Sequence, residues 1–395
     1  MRLRLQNIYN NKDTEMKSLR KIDVRSEMIS FAKRNAVLLI AIAAASITAF
    51  IVPPDREYLG YFDFKTLACL FSVLAVVCAL RNIMFFTILA RKIVKLCKNA
   101  RFCVITLIYI TFIGSMLIAN DMALITFLPL GFFALDSTGK QKYLSFTFIM
   151  QNIAANLGGM ITPFGNPQNL YIYNKFGIPT GEFTLIMLFP FVLSIAMITA
   201  FCFIFVKKEP LIIIPREDKL NVPRALAYSV LFVISILAVF NIVHYLIALW
   251  IIIVALAVLD HRALAKVDYG LLLTFCAFFI FSGNMSRIDA VSKLFSSLLE
   301  VNTLIFSALS CQFISNVPSA ILLSNFTENY RELLLGVNIG GVGTLISSLA
   351  SLITFREYST LYPKNIGRYL FKFSIFNFSF LAILLVAQSI FNIIF

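Results

Sequence analysis

Charge is scarce in this 395-residue chain: Asp, Glu, Lys and Arg together make up 14% of it, against 59% hydrophobic residues. An average soluble domain is about 25% charged, so the balance excludes an ordinary water-soluble fold. Long polar segments are also missing, which excludes a soluble domain carried on a single anchor. There are only two histidines, His244 and His261, both at the ends of apolar segments, so no histidine metal cluster is expected. The seven cysteines, at 69, 78, 97, 103, 202, 276 and 311, show no metal-ligand spacing and fall mostly inside apolar runs, as buried thiols do. HExxH, GxSxG and Walker motifs are absent. An intramembrane enzyme needs a metal or a nucleophile–base pair, so neither an enzyme nor a cofactor is expected. Drive by ATP would need a separate subunit.

What the chain does have is a series of apolar runs, many of them long enough for the roughly 20 helical residues that cross a bilayer. Helical spans are expected near 35–52, 64–82, 141–173, 183–206, 225–242, 245–259, 267–284, 332–355 and 369–394. Two more runs, 102–135 and 301–326, are interrupted halfway by polar residues. The fold class is therefore an all-α polytopic membrane protein with about nine full spans, embedded in a lipid bilayer. The net charge of +14 invites a nucleic-acid reading, but the basic residues sit in short connecting segments. That is the pattern of cytoplasmic loops, and no nucleic-acid partner is expected.

Residues 1–34 are polar and basic, and the apolar run begins only at Asn35. They are expected to form a cytoplasmic tail rather than a cleaved signal. With that tail inside, segments 1–34, 91–101, 140–142, 207–224, 260–266 and 356–372 hold 27 Lys and Arg, and the outer segments 53–63, 174–182, 285–300 and 326–332 hold 5. The asymmetry orients the protein in the cell membrane with its N-terminus cytoplasmic and its C-terminus outside. Both ends of 102–135 then lie inside and both ends of 301–326 outside, so each is expected to be a re-entrant hairpin, or else two unusually short spans. The stretches 85–98 and 287–300 are amphipathic and suit the interfaces.

An internal repeat follows. Asp63 in "YFDFKTLACLF" matches Asp268 in "KVDYGLLLTFC", Asn120 in "LIANDMALITF" matches Asn316 in "FISNVPSAILL", and "NLGGMITPFGNPQNL" from Asn156 aligns without a gap to "NIGGVGTLISSLASL" from Asn338. The copies run in opposite directions. The expected organisation is a first repeat at 35–206, with hairpin 102–135 and broken helix 141–173, then a cytoplasmic linker at 207–224. A connecting helix and the second repeat follow at 225–395, with hairpin 301–326 and broken helix 332–355. Inverted repeats with broken helices are a common plan of secondary transporters, which bind solute near the midplane.

Irregular backbone survives in a membrane only inside protein or beside a wet cavity. Half-helix N-termini there offer N–H groups to an anion, and freed carbonyls with Asn, Ser or Thr oxygens suit a hard cation. Asn120, Asp121, Ser315 and Asn316 are the candidates for the coupling ion, sodium or a proton. Asn120, Thr162, Gly165, Asn166, Asn169, Ser315, Asn316, Gly341, Thr344 and Ser348 are the candidates for the solute. Asp121 is the only charged residue from Phe102 to Leu135. A carboxylate at membrane depth is costly and usually functional, although it also suits a helix cap. Asn120 and Asn316 could simply cap their turns, and the paired glycines could serve close packing.

"TPFGNPQNL" with "ANDMALITFLPL", and "SNVPSAILLSNF" with "NIGGVGTLISSLASLITF", resemble the arsenical-pump, citrate and divalent-anion permeases of the ion transporter superfamily. Within that group the chain is most similar to the YbiR-type anion permeases, from about residue 35 to 395. The resemblance implies a scaffold domain, a moving transport domain and a homodimer. Divalent-anion symporters carry Ser-Asn-Thr at both hairpin tips. This chain has Ser315-Asn316-Val317 and Ala119-Asn120-Asp121. The acidic tip is closer to the arsenical-pump branch, where proton coupling is usual. The reading is thus a secondary transporter for a small anionic solute, driven by sodium or protons. A cation/proton antiporter, an arsenite-type efflux permease and a channel are the alternatives.

Overall fold

The computed structural model describes residues 36–211 and 219–394. The expected tail at 1–34 and the middle of the 207–224 linker lie outside the described residues. In chain order the helices are α1 (Ala36–Ile51), α2 (Phe64–Asn82), α3 (Phe85–Val94), α4 (Ala100–Ile118), α5 (Asn120–Asp136), α6 (Leu144–Gly158) and α7 (Pro167–Lys175). They continue as α8 (Thr180–Phe205), α9 (Val222–Val239), α10 (Tyr245–Leu259), α11 (His261–Ala265), α12 (Tyr269–Ser286) and α13 (Asp289–Ile314). The last are α14 (Asn316–Leu323), α15 (Tyr330–Ile339), α16 (Leu349–Leu361) and α17 (Ile366–Ile394). No strand occurs among the described residues.

This is a multi-pass membrane protein. Seven helices are long and apolar enough to cross a bilayer, and α1 and α10 are shorter apolar helices. Helices answer their own backbone hydrogen bonds, as hydrocarbon requires. Large apolar side chains point outward along them: Leu185, Trp250 and Phe371 are 66–70% exposed. Helix starts are fixed by short polar caps. Thr66 N–H donates to Asp63 at 2.9 Å to open α2, and Leu271 N–H donates to Asp268 at 2.9 Å to open α12.

Inside, α6 packs along α4, α15 along α13, α1 along α12, and α2 against α9 and α10. Small residues permit the closest approaches. A Cβ on Gly158 would overlap the Phe112 carbonyl oxygen of α4, and one on Gly340 would lie 2.8 Å from the backbone of Ala308 on α13. At the basic end of the bundle Glu209 accepts from Lys140, Lys142 and Tyr143, tying the segment after α8 to the turn before α6.

The structure gives the bounds of the runs expected to be broken. The run 141–173 is two helices, α6 and α7, joined by a 3₁₀ turn at Gly159–Ile161 and extended backbone at Thr162 and Asn166. The run 332–355 likewise divides into α15 and α16, because Gly340, Gly341 and Gly343 break the helix and Gly343 takes φ 137°. The amphipathic stretch 287–300 and the first arm of 301–326, numbered together as α13, are two helices parted at Asn302, whose backbone is extended (φ −166°, ψ 97°), as the expected boundary has it. Asn302 caps the second part by accepting from Ile305 N–H at 2.8 Å.

Candidate functional site

Two polar interruptions place a sharp turn between antiparallel helices. Ala119 joins α4 to α5 at φ 64°, and Ser315 joins α13 to α14 at φ 78°. Neither is a glycine, and a left-handed backbone at such residues is uncommon and strained. Each turn is closed in the same way. Asn120 Oδ1 accepts from Asp121 N–H at 2.9 Å, and Asn316 Oδ1 accepts from Val317 N–H at 2.9 Å. Both asparagines thus stand first in their helices, each bonded to the next N–H, and both line a cavity.

Behind the turns lies a set of buried amides. Asn338 on α15 is 1% exposed. Its Oδ1 accepts from Asn166 Nδ2 at 3.3 Å and Gln168 Nε2 at 3.4 Å, and its Nδ2 donates to Asn169 Oδ1 at 2.6 Å and the Leu334 carbonyl at 2.8 Å. Asn169 Nδ2 reaches the carbonyls of Gly159, Met160 and Thr162 at 3.1–3.2 Å. The "ITPFGNPQNL" break is thus held by its own amides, which answer backbone groups the missing helix would leave open. Asn156 on α6 links this set to the turns. Its Oδ1 accepts from Asn120 Nδ2 at 3.3 Å, and a Cβ on Gly341 would sit 3.4 Å from that Oδ1 and 3.2 Å from Asn316 Nδ2.

Both turns open on one cavity of about 320 Å³. Asn120, Asp121, Ser315 and Asn316 line it, with Gln168, Asp268 and Thr274, and its remaining walls are largely apolar. Its lining carries two carboxylates and no basic side chain. Asp121 Oδ1 is buried without a hydrogen-bond partner, as are Gln168 Oε1 and Asn166 Oδ1. Unanswered buried oxygens are costly and are the groups a bound cation would satisfy. Among the described residues no group of three or more His, Cys, Asp or Glu is placed to hold a metal ion.

The structure thus brings the four expected tip residues into one cavity and sets the seven others outside its lining. Thr162 and Thr344 donate to the carbonyls of Met116 and Gln312 at 2.8 and 3.0 Å, pinning each break to the arm beside it. Gly165 lies against Gly159, and Ser348 caps α16 by accepting from Ser351 N–H at 3.3 Å. Gly341 leaves room for the Asn316 amide. Asn166 and Asn169 belong to the amide set. Gln168, Asn156, Asn338 and Asp268 were not among the sequence candidates. Each stood in a matched or quoted motif, and the signal was the repeat position itself.

An all-helical bundle with lipid-facing apolar sides, broken helices and two polar turns opening on a largely apolar cavity is the architecture of a membrane transporter. The citrate-transporter family model matches residues 28–329, and the chain belongs to that family. It is 32% identical to the uncharacterized transporter MJ0456 of Methanocaldococcus jannaschii over 81% of this chain and 88% of that protein. It is 26% identical to the inner membrane protein YbiR of Escherichia coli, over 80% and 86% of the two chains. A putative transporter, arsB of Dictyostelium discoideum, is 23% identical over 42% of this chain and 30% of its own length. The family and the relatives agree with the resemblance read from the motifs.

Proposed function

We propose that the protein is a secondary transporter built as an inverted repeat, with two re-entrant hairpins whose tips bind a coupling cation and a small anion. The observation that carries this reading is the convergence of both turns, beside Asp121, on one cavity. The repeat is supported by contacts that recur in pairs. Gly158 meets Phe112 as Gly340 meets Ala308, and Thr162 meets Met116 as Thr344 meets Gln312. At one end of the bundle Arg287 joins Asp55 and Tyr61 at 2.7 and 3.0 Å. At the other, Asn82 joins Asp260 and Lys266 at 2.9 and 2.7 Å. Positions 55, 61 and 82 each have their counterpart 205 residues later, at 260, 266 and 287. One motif of two contacts among three positions thus recurs at opposite ends. The proposed domains are the two repeats of residues 35–206 and 225–395.

The cation, sodium or a proton, is placed at Asp121 with the amide and hydroxyl oxygens of Asn120, Ser315 and Asn316. Its charge supplies what the lining lacks for an anion, together with the N-terminal ends of α5 and α14. The Thr162–Asn169 and Gly341–Ser348 breaks shape the site from behind. The membrane is the cell membrane, with the N-terminus cytoplasmic and the C-terminus outside, and the working unit is a homodimer. Flux into proteoliposomes, with oxyanions, carboxylates and arsenite offered under imposed sodium or proton gradients, tests the reading. Asp121→Asn is expected to abolish gradient-driven uptake and to leave the thermal melt in place. Wild-type coupled uptake by that variant refutes the role of Asp121.

The two carboxylates and the absence of a basic side chain in the cavity favour one second reading, a cation/proton antiporter working through Asp121. Sodium–proton exchange with no anion present would establish it.

A further inference from the structure

Three helices each contribute to the tip cavity and to a second cavity. α7 gives Gln168 to the first and Lys175 to the second, α12 gives Asp268 and Ser286, and α14 gives Asn316 and Ile321. The second cavity measures about 410 Å³. The rings of Tyr171 and Phe279 line the second cavity and not the first, with centroids 5.6 Å apart, and Tyr171 Oη is held by Ser324 Oγ at 2.9 Å.

The second cavity has a fixed wall and a single basic side chain. Tyr61 sits against Gly283, where any Cβ would strike its ring, and Arg287 fastens the Tyr61 hydroxyl at 3.0 Å. Lys175 is the only basic residue in the lining. Its ammonium lies 5.8 Å from the Tyr171 ring centroid, donates to Asn325 Oδ1, and makes no ion pair with a described carboxylate. Asp63 shares the lining, but its oxygens are turned to Thr66, one to the backbone N–H and one to the hydroxyl, as the cap of α2. A three-donor ammonium with one protein acceptor at the mouth of a polar cavity is a receptor for an oxyanion. By contrast, Arg287 and Arg331 at the same end are each neutralised by carboxylates.

We propose that this cavity is the outer vestibule of the same transport path, that it collects small oxyanions on Lys175, and that Tyr171 with Phe279 is the plug separating it from the tip cavity. The proposal rests on the transport reading and on the orientation given above.

Cysteine labelling in sealed right-side-out vesicles tests it without knowledge of the solute. The native cysteines are buried except Cys276, which is half-buried and is replaced by Ser. In that background Ser286→Cys is treated from outside with an anionic and a cationic methanethiosulfonate reagent. Two opposite unit charges about 8 Å from an ammonium in a watery cavity differ enough that Lys175→Gln should lower the anionic-to-cationic rate ratio about fivefold. Lys175→Arg keeps the charge and should keep the ratio, which separates charge from folding. A ratio unmoved by Lys175→Gln, or labelling of Ser286→Cys only from the opposite side, overturns the vestibule. For the plug, Thr274→Cys, a buried position in the lining of the tip cavity, should resist outside reagent until Tyr171→Ala is added, and equal labelling with and without that change overturns it. These readouts need no flux, so their failure is distinct from failure of the transport reading, which would show as absent uptake.

Discussion

Replacing Asn338 by Ala tests whether the amide set behind the tips is a structural lock. The side chain is 1% exposed and makes four hydrogen bonds. Asn166 Nδ2 keeps a second acceptor, the Asn156 carbonyl at 3.3 Å, and the Leu334 carbonyl remains in its helix. Gln168 Nε2 and Asn169 Oδ1 lose their Asn338 partner, and Gln168 Oε1 already has none. Two newly orphaned groups at about 1–3 kcal/mol each give a loss of about 2–6 kcal/mol. That is large beside the 5–15 kcal/mol that typically holds a fold together. Asn338→Asp is nearly the same size but turns a donor into an acceptor facing Asn169 Oδ1 at 2.6 Å, so it should destabilise as well. The assay is equilibrium unfolding in mixed detergent micelles, with Asn120→Ala measured beside it. Asn120 answers Asp121 N–H at 2.9 Å and Asn156 Oδ1 at 3.3 Å and also lines the cavity, so its loss should cost stability of the same order and abolish transport in addition. If Asn338→Ala unfolds with the wild type, the amide set is not a lock and the accounting of orphaned groups is wrong.

Gly158→Ala and Gly340→Ala should each destabilise by about 1–3 kcal/mol, the usual cost of overpacking, because the new methyl meets backbone of Phe112 or Ala308 that cannot swing aside; a thermal melt unchanged for either removes the close-packing account. Hydrogen bonds from Lys140, Lys142 and Tyr143 hold the Glu209 carboxyl down at about 2, below its ordinary 4.5. A folded value below the unfolded one means that this tie contributes fully above about 4.5 and is lost as the pH falls from there through about 2. Hydrogen exchange at residues 207–211 should therefore rise across that window in the wild type, and Glu209→Gln should make the rise independent of pH.

The parts of this architecture that depend on nearest neighbours could be read from the chain. Asp63 and Asp268 announce α2 and α12 because a cap acts within three residues. Asn120 and Asn316 announce the two turns because a polar residue in an apolar run has few other uses. The boundary near residue 301 was legible, since an asparagine after an amphipathic stretch marks a helix start, and the backbone leaves the helical range at Asn302. The cavity was half legible. Its tip residues stand in sequence motifs, whereas Asp268 reaches Asp121's cavity only through the packing of α12. The inward role of Thr162 and Thr344 was hidden for the same reason, since a hydroxyl that binds solute and one that binds a carbonyl look alike in a sequence.

The proposed repeat also explains why the two ends of the bundle need not behave alike. The same three positions meet at each end, but one end holds a guanidinium with Asp55 and Glu57, and the other an amide with Asp260 and Lys266. A guanidinium offers a rigid fork of donors to its carboxylates, where an amide offers one donor and one acceptor. Fastening is therefore stronger at the Arg287 end. The tip cavity draws part of its lining from the first turns of α1 and α12, Val37, Leu38, Asp268 and Gly270, at the end held by the weaker set. A carrier whose halves exchange roles must open each end in turn. On the proposed repeat, unequal chemistry at matched positions biases which end is closed at rest, and the expected closure is on the outer side, behind the Lys175 vestibule at Tyr171 and Phe279.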